Sequence, residues 1–202
     1  NMFYDAFAFN QNIGSWNTVS VTSMSEMFFV ATAFNQNISS WNTAAVTSLS
    51  SMFFGATAFN QNIGAFTLKP GVFMNSMLNN SGMDCSNYSA TLMGWSANPS
   101  TPNGRNLGAV GRYYLSTAVS ARANLVSTKG WTITGDALSS GLPPPTITSI
   151  SPASGAIGNT VTITGTNFST TPANNIVKFN GVTASITASN TTSITTTVPA
   201  GA

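Results

Sequence analysis

The stretch Phe34-Asn35-Gln36-Asn37-Ile38-Ser39-Ser40-Trp41-Asn42-Thr43 repeats Phe9-Asn10-Gln11-Asn12-Ile13-Gly14-Ser15-Trp16-Asn17-Thr18 almost letter for letter. A third copy opens at Phe59-Asn60-Gln61-Asn62-Ile63-Gly64, so the period is 25 residues twice over (34 − 9 and 59 − 34). A constant period of this length is the sequence mark of stacked structural repeats, in which each unit buries its apolar face on the next. Within the second unit Val46, Leu49, Met52, Phe53 and Ala56 recur at the spacing of one helix face. Ser23 and Glu26 stand where a helix N-cap and its reciprocal glutamate would stand. Asn37 to Asn42 reads as a short extended segment. The expectation is an α/β solenoid over residues 1–78, with one short parallel strand and one short helix per 25-residue coil.

Stacking would align like with like. Ile13, Ile38 and Ile63 form one expected column, and Trp16, Trp41 and Phe66 another. Asn10, Asn35 and Asn60, and likewise Asn12, Asn37 and Asn62, are expected as ladders of amides, because each amide both donates and accepts. These columns read as scaffold. The aromatic positions Trp16, Trp41, Phe66, Phe29 and Phe54 are the candidate binding surface wherever they reach solvent.

The period breaks after residue 78. Ser86 to Trp95 suggests a helix with Tyr88, Leu92 and Trp95 on one side, and Ser116 to Lys129 a second helix stopped by Gly130. Trp131 to Thr134 alternates like a strand. Residues 79–136 are expected to cap the last apolar face of the repeats. Residues 137–145 read as linker, ending in Pro143 to Pro145. Beyond it, Thr146 to Ile150, Thr160 to Thr166, Asn175 to Asn180, Thr183 to Ser189 and Thr192 to Val198 are strand-like and point to an all-β sandwich over 146–202. About five strands are visible where an immunoglobulin-type sandwich has roughly seven, so the module reads as incomplete and the chain as part of a longer one.

Two resemblances follow from these residues. Phe-Asn-Gln-Asn-Ile-x-x-Trp-Asn-Thr followed by Val-Thr-Ser-Met/Leu-Ser-x-Met-Phe resembles the bacterial surface-protein repeat of the BspA-like leucine-rich-repeat family over residues 1 to about 78. Asn87-Tyr88…Gly94-Trp95 and Gly130 to Asp136 resemble the closing segment found after such repeats. That resemblance implies a leucine-rich-repeat-type solenoid on a cell surface, with adhesion or host-protein binding. The family often carries Asp where this chain has Asn12, Asn37 and Asn62, which removes the carboxylates a cation column would need. Ile147 to Gly155, Val161 to Phe168 and Val177 to Gly181 resemble the IPT/TIG immunoglobulin-like domain.

Composition argues against chemistry. The chain of 202 residues has no histidine, which removes imidazole-based triads and metal sites. Its carboxylates are Asp5, Glu26, Asp84 and Asp136, and glycoside hydrolysis needs two facing each other. Glu26 reads as a cap and Asp5 lies in the frayed first coil, and Asp84 and Asp136 fall together in the cap module. Cys85 is the single cysteine and reads as a small buried thiol without a base. Charged residues make up 5% of the chain, against roughly 25% in ordinary soluble proteins. The six cations are scattered, so nucleic acid is not an expected partner. No apolar run reaches the ~18 residues of a membrane span. The sequence therefore predicts no enzyme activity and no cofactor. It predicts a monomeric segment of an extracellular or cell-surface protein, the repeat face holding a protein or glycan and the sandwich acting as spacer. The alternative is a purely structural stalk.

Overall fold

The computed structural model describes residues 2–139 and 145–202. The chain divides into two compact units, Asn1–Gly141 and Leu142–Ala202. Of the segment expected as linker, Ala137–Leu138 pair as a strand, and residues 140–144 lie outside the described residues.

The expected α/β solenoid of strand plus helix is corrected by the structure. Residues 2–84 contain no α-helix and no regular strand, only turns and isolated parallel bridges at Ser23↔Ser48, Ser48↔Phe73 and Met74↔Leu107. The reason lies in where the backbone N–H groups go. Met24, Glu26, Phe28 and Val30 donate to the carbonyls of Ser48, Ser50, Met52 and Phe54 in the following unit. Met27, Phe29 and Ala31 donate to Met24, Glu26 and Phe28, three residues back, closing overlapping turns. A helix would direct these groups along its own axis to the residue four back. Here half of them are used sideways.

Backbone torsions enforce the same choice. Glu26 and Ser51 sit at φ of 55° and 53°, and Val30 and Gly55 at 52° and 66°, so each unit passes through the left-handed region twice. Such residues end a right-handed helix wherever they occur. The same pattern runs on through the third unit: Leu49, Ser51, Phe53 and Gly55 donate to Phe73, Asn75, Met77 and Asn79. The apolar i, i+3 spacing that reads as a helix is thus the spacing of successive turns. The supposed capping box also dissolves: the Ser23 hydroxyl accepts from the Ser25 N–H at 3.4 Å, and Glu26 lies in a left-handed turn. Asn37 to Asn42, expected as extended, is a turn closed by the Trp41 N–H on the Ile38 carbonyl at 3.0 Å.

Apolar side chains from all units merge into one core. Phe28, Phe34, Phe53 and Phe59 are fully buried, and their rings stack in pairs at 3.8 Å (Phe28 on Phe34, Phe53 on Phe59). Leu92, Trp95, Leu125 and Trp131 extend this core under the residues that follow the repeats.

Helix α1 spans Cys85–Ala97, with the Asp84 carboxylate accepting from the Asn87 N–H as N-cap. Tyr88, Leu92 and Trp95 are its buried face, as their spacing predicts. Strand β1 (Asn106–Gly108) runs parallel to β3 (Thr132–Thr134), and β2 (Tyr113–Tyr114) runs parallel to β4 (Ala137–Leu138). Between them the expected second helix is broken into a 3-10 turn at Ser116–Ala118, the short helix α2 at Val119–Ala123 and a π turn at Asn124–Thr128. Gly130 ends it at φ 67°.

The second unit is a β-sandwich. Strands β5 (Thr146–Ser151), β6 (Thr160–Thr166), β9 (Ile186–Ser189) and β10 (Ser193–Thr197) form an antiparallel sheet in the order β5-β6-β10-β9. Strands β7 (Val177–Phe179) and β8 (Val182–Ala184) form a hairpin through Asn180-Gly181, both at positive φ, as a tight primed turn requires. Its small core is Val161, Ile163, Phe168 and Ile194, while Ile147 and Ile150 on edge strand β5 stay exposed.

Candidate functional site

The aromatic positions expected to face a ligand divide into three groups. Trp41 and Phe66 are buried, at 3% and 0% exposure, so they cannot contact a partner. Trp41 also donates its indole N–H to the Ile13 carbonyl at 3.1 Å, pinning one unit to the one before it. Trp16 is 42% exposed, its indole tilted against Phe3. Phe29 and Phe54 are half-buried and stack with Tyr4 in a ladder, at 4.7 Å between Tyr4 and Phe29 and 4.9 Å between Phe29 and Phe54. Rings stacked in this way cover one another's faces. Phe29, between two neighbours, offers a ligand its edge and not its face.

The Asn10, Asn35 and Asn60 positions do form a ladder, though not by amide stacking on amide. The side-chain carbonyl of Asn10 accepts from the Asn35 N–H at 2.9 Å and from the Gln36 amide at 2.9 Å. One unit on, Asn35 accepts from the Asn60 N–H and from Gln61, both at 2.8 Å. The ladder then passes into α1. Asn60 accepts from the Asp84 N–H and from the Asn87 amide, both at 2.9 Å, and donates to the Asp84 carboxylate at 2.8 Å. Asp84 and Asn87 thus take the places that Asn and Gln hold in the repeats. The Gly64 backbone meets the Gly94 backbone so closely that a Cβ on Gly94 would lie 2.8 Å from the Gly64 Cα.

Asn12, Asn37 and Asn62 behave differently. Each accepts from the backbone N–H two residues on, Gly14, Ser39 and Gly64 respectively, at 2.9 to 3.0 Å. They are local Asx turns and do not bond one another from unit to unit, though Asn62 also accepts from the Thr91 hydroxyl of α1 at 3.3 Å.

The carboxylates of this module are held in structural contacts. The Asp136 carboxylate, with no side-chain exposure, takes two hydrogen bonds from Arg122, at 2.7 Å from Nε and 2.6 Å from a terminal nitrogen. It accepts a third from the Tyr88 hydroxyl at 3.0 Å. Burial, reinforced by the Asp136 charge, pushes the Tyr88 phenol well above its ordinary value, so it stays a neutral donor. Arg122 lies 5.2 Å over the Tyr114 ring, and the Asp136 hydrogen bonds raise its own pKa. Asp84 caps α1. Cys85 is half-exposed at the first position of α1, rather than buried as expected. Among the described residues no group of three or more His, Cys, Asp or Glu side chains could hold a metal ion, and no helix is long and apolar enough to cross a membrane.

One surface hollow was not singled out by sequence reasoning. Phe73 takes the position held by Ser23 and Ser48 in the earlier units and is 61% exposed. It lies beside Asn75, Arg105 and Asn106 where the last repeat meets β1. The signal was present in the alignment of the units, as an aromatic replacing a serine.

Residues 1–95 match the family model described as Mycoplasma protein of unknown function, DUF285, and residues 145–202 match that of the IPT/TIG domain. The β-sandwich of the second unit fits the latter match. The leucine-rich-repeat identity implied by the sequence resemblance is not what these matches report. No curated protein matches the chain, and no solved structure does.

Proposed function

We propose that the chain is a non-catalytic module of a cell-surface or secreted protein. The first unit holds an extracellular protein or glycan, and the IPT/TIG-like sandwich serves as spacer. The observation that carries this reading is how the side chains of the first unit are used. Rings such as Phe28, Phe34, Phe53 and Phe59 are consumed in a shared core, and the amides of the Asn10, Asn35 and Asn60 column hold units in register. Asp84 and Asp136, which could have formed an acid–base pair, each serve a structural contact. Such an arrangement leaves neither of these carboxylates poised for proton transfer. The DUF285 and IPT/TIG matches support a surface module and leave the partner open.

The test is binding by the intact 202-residue chain. Immobilised, it is presented with purified fibronectin, laminin, collagen and mucin, and in parallel with a printed array of glycans. Saturable binding to at least one is the expected result. No saturable binding in either panel would leave the stalk reading, in which recognition belongs to another part of a longer protein.

A further inference from the structure

We infer that the hollow between the last repeat and β1 is a binding site for a neutral oligosaccharide. This rests on the surface-binding reading above and names its ligand class. Two adjoining hollows of about 200 and 220 Å³ share Asn75 and Asn106; together they fall in the roughly 300–1,000 Å³ range of ligand pockets. Their floor is backbone. Gly108 of β1 lies against Ser76 so tightly that an added Cβ would collide with the Ser76 backbone nitrogen, which leaves the floor little freedom to move.

The lining has the composition that recognises hydroxyl-rich, uncharged molecules. The amides of Asn75 and Asn106 have no protein partner among the described residues, and each offers both donors and an acceptor. Asn79 accepts from the Val110 N–H at 2.9 Å, which fixes its orientation and leaves its NH2 to donate. Arg105 is held by two backbone carbonyls, Asn103 at 3.0 Å and Val72 at 3.3 Å, so its remaining N–H groups are presented by an anchored fork. No carboxylate lines either hollow.

Phe73 completes the set. It is the exposed ring at the rim, and unlike Phe29 it has no other aromatic ring stacked on it among the described residues. Its face is free for the C–H face of a pyranose, while the amides take the hydroxyls. A protein partner would call for a larger apolar anchor and a desolvated pocket around it. The hollow beside Phe73 is lined mostly by polar groups, and the adjoining one adds Leu107 and Val110 to its amides.

The experiment uses the intact chain on a printed glycan array, followed by calorimetric titration with the best neutral oligosaccharide found. Phe73→Ser, which installs the residue the other units carry there, and Asn106→Ala are compared with the parent. Unchanged chemical-shift spectra elsewhere in the molecule establish that both variants fold. The expected result is binding to a neutral oligosaccharide, weakened about tenfold or more in each variant, a difference of about 1.4 kcal/mol. Three results would overturn the inference. One is retention of no neutral glycan, even if a matrix protein binds, in which case the surface-binding reading survives alone. Another is glycan binding that both variants leave unchanged. The third is binding restricted to sulfated or sialylated glycans that depends on Arg105 and not on Phe73.

Discussion

Replacing Asp136 with alanine is expected to lower the unfolding free energy by about 3 kcal/mol, the lower end of the cost of breaking a buried ion pair from one side. The lower end applies because the partner is not sealed. The Asp136 side chain has no exposure, but Arg122 keeps 24% of its own and can recover some hydration. Tyr88 cannot: it is fully buried, and losing Asp136 removes the carboxylate that accepts its hydroxyl hydrogen. Asp136→Asn separates the two contributions, since it keeps an acceptor for Tyr88 and removes the charge facing Arg122. Chemical denaturation followed by tryptophan fluorescence reads both variants. A loss under about 1 kcal/mol for the alanine variant, the value of an exposed pair, would mean that the cluster is solvated and does not fasten the segment after β3 to α1.

Phe28→Ala is expected to cost about 4 kcal/mol, within the range for deleting a fully buried aromatic ring. Phe28 has no exposure and stacks on Phe34 at 3.8 Å, with Phe3 and Phe53 at 5.5 and 5.7 Å on either side. The cavity left behind would open between two units, and both would lose their packing. Phe29→Ala next to it is expected to cost only about 1 kcal/mol, because that ring is half-buried and the space it leaves opens to solvent, although Tyr4 and Phe54 lose their stacking partner. The same denaturation measurement compares the two. Similar losses would contradict the assignment of one ring to the core and the other to the surface.

These neighbouring residues show what could be read in the letters and what could not. The period identifies Phe28, Ile38 and Phe53 as apolar positions that recur, and it finds the Asn10, Asn35 and Asn60 column. It also locates α1, since Tyr88, Leu92 and Trp95 show ordinary helical spacing and are buried together. Two elements of the expectation failed for one reason. Spacings of three and four residues are produced by a helix, but also by successive turns whose alternate N–H groups reach a neighbouring unit. Only the left-handed torsions at Glu26, Val30, Ser51 and Gly55 separate the two cases. Gly55 is the one of these that a sequence marks, and a valine in the same position hides the signal.

The candidate site was legible only in part. Trp41 and Phe66 are candidates only where they reach solvent, and the periodicity does not say which face of a unit is covered; both lie buried between units. Phe73 does not stand out from what the repeats share. The position is informative for the opposite reason, as the place where a ring replaces the serines at 23 and 48. Asn75 and Asn106 are far apart in the chain, and their segments are brought together by the parallel bridge from Met74 to Leu107 and by the hydrogen bonds that flank it.

The repeats are held by sideways hydrogen bonds between units and not by helices within them. Scalar couplings transmitted across hydrogen bonds, measured by NMR on isotope-labelled protein, read donor and acceptor pairs directly. Couplings from the Phe28 amide nitrogen to the Met52 carbonyl carbon, and from Phe53 to Met77, are the predicted result. Couplings from Phe28 to Met24 and from Phe53 to Leu49, the pairs a helix would make, would contradict it.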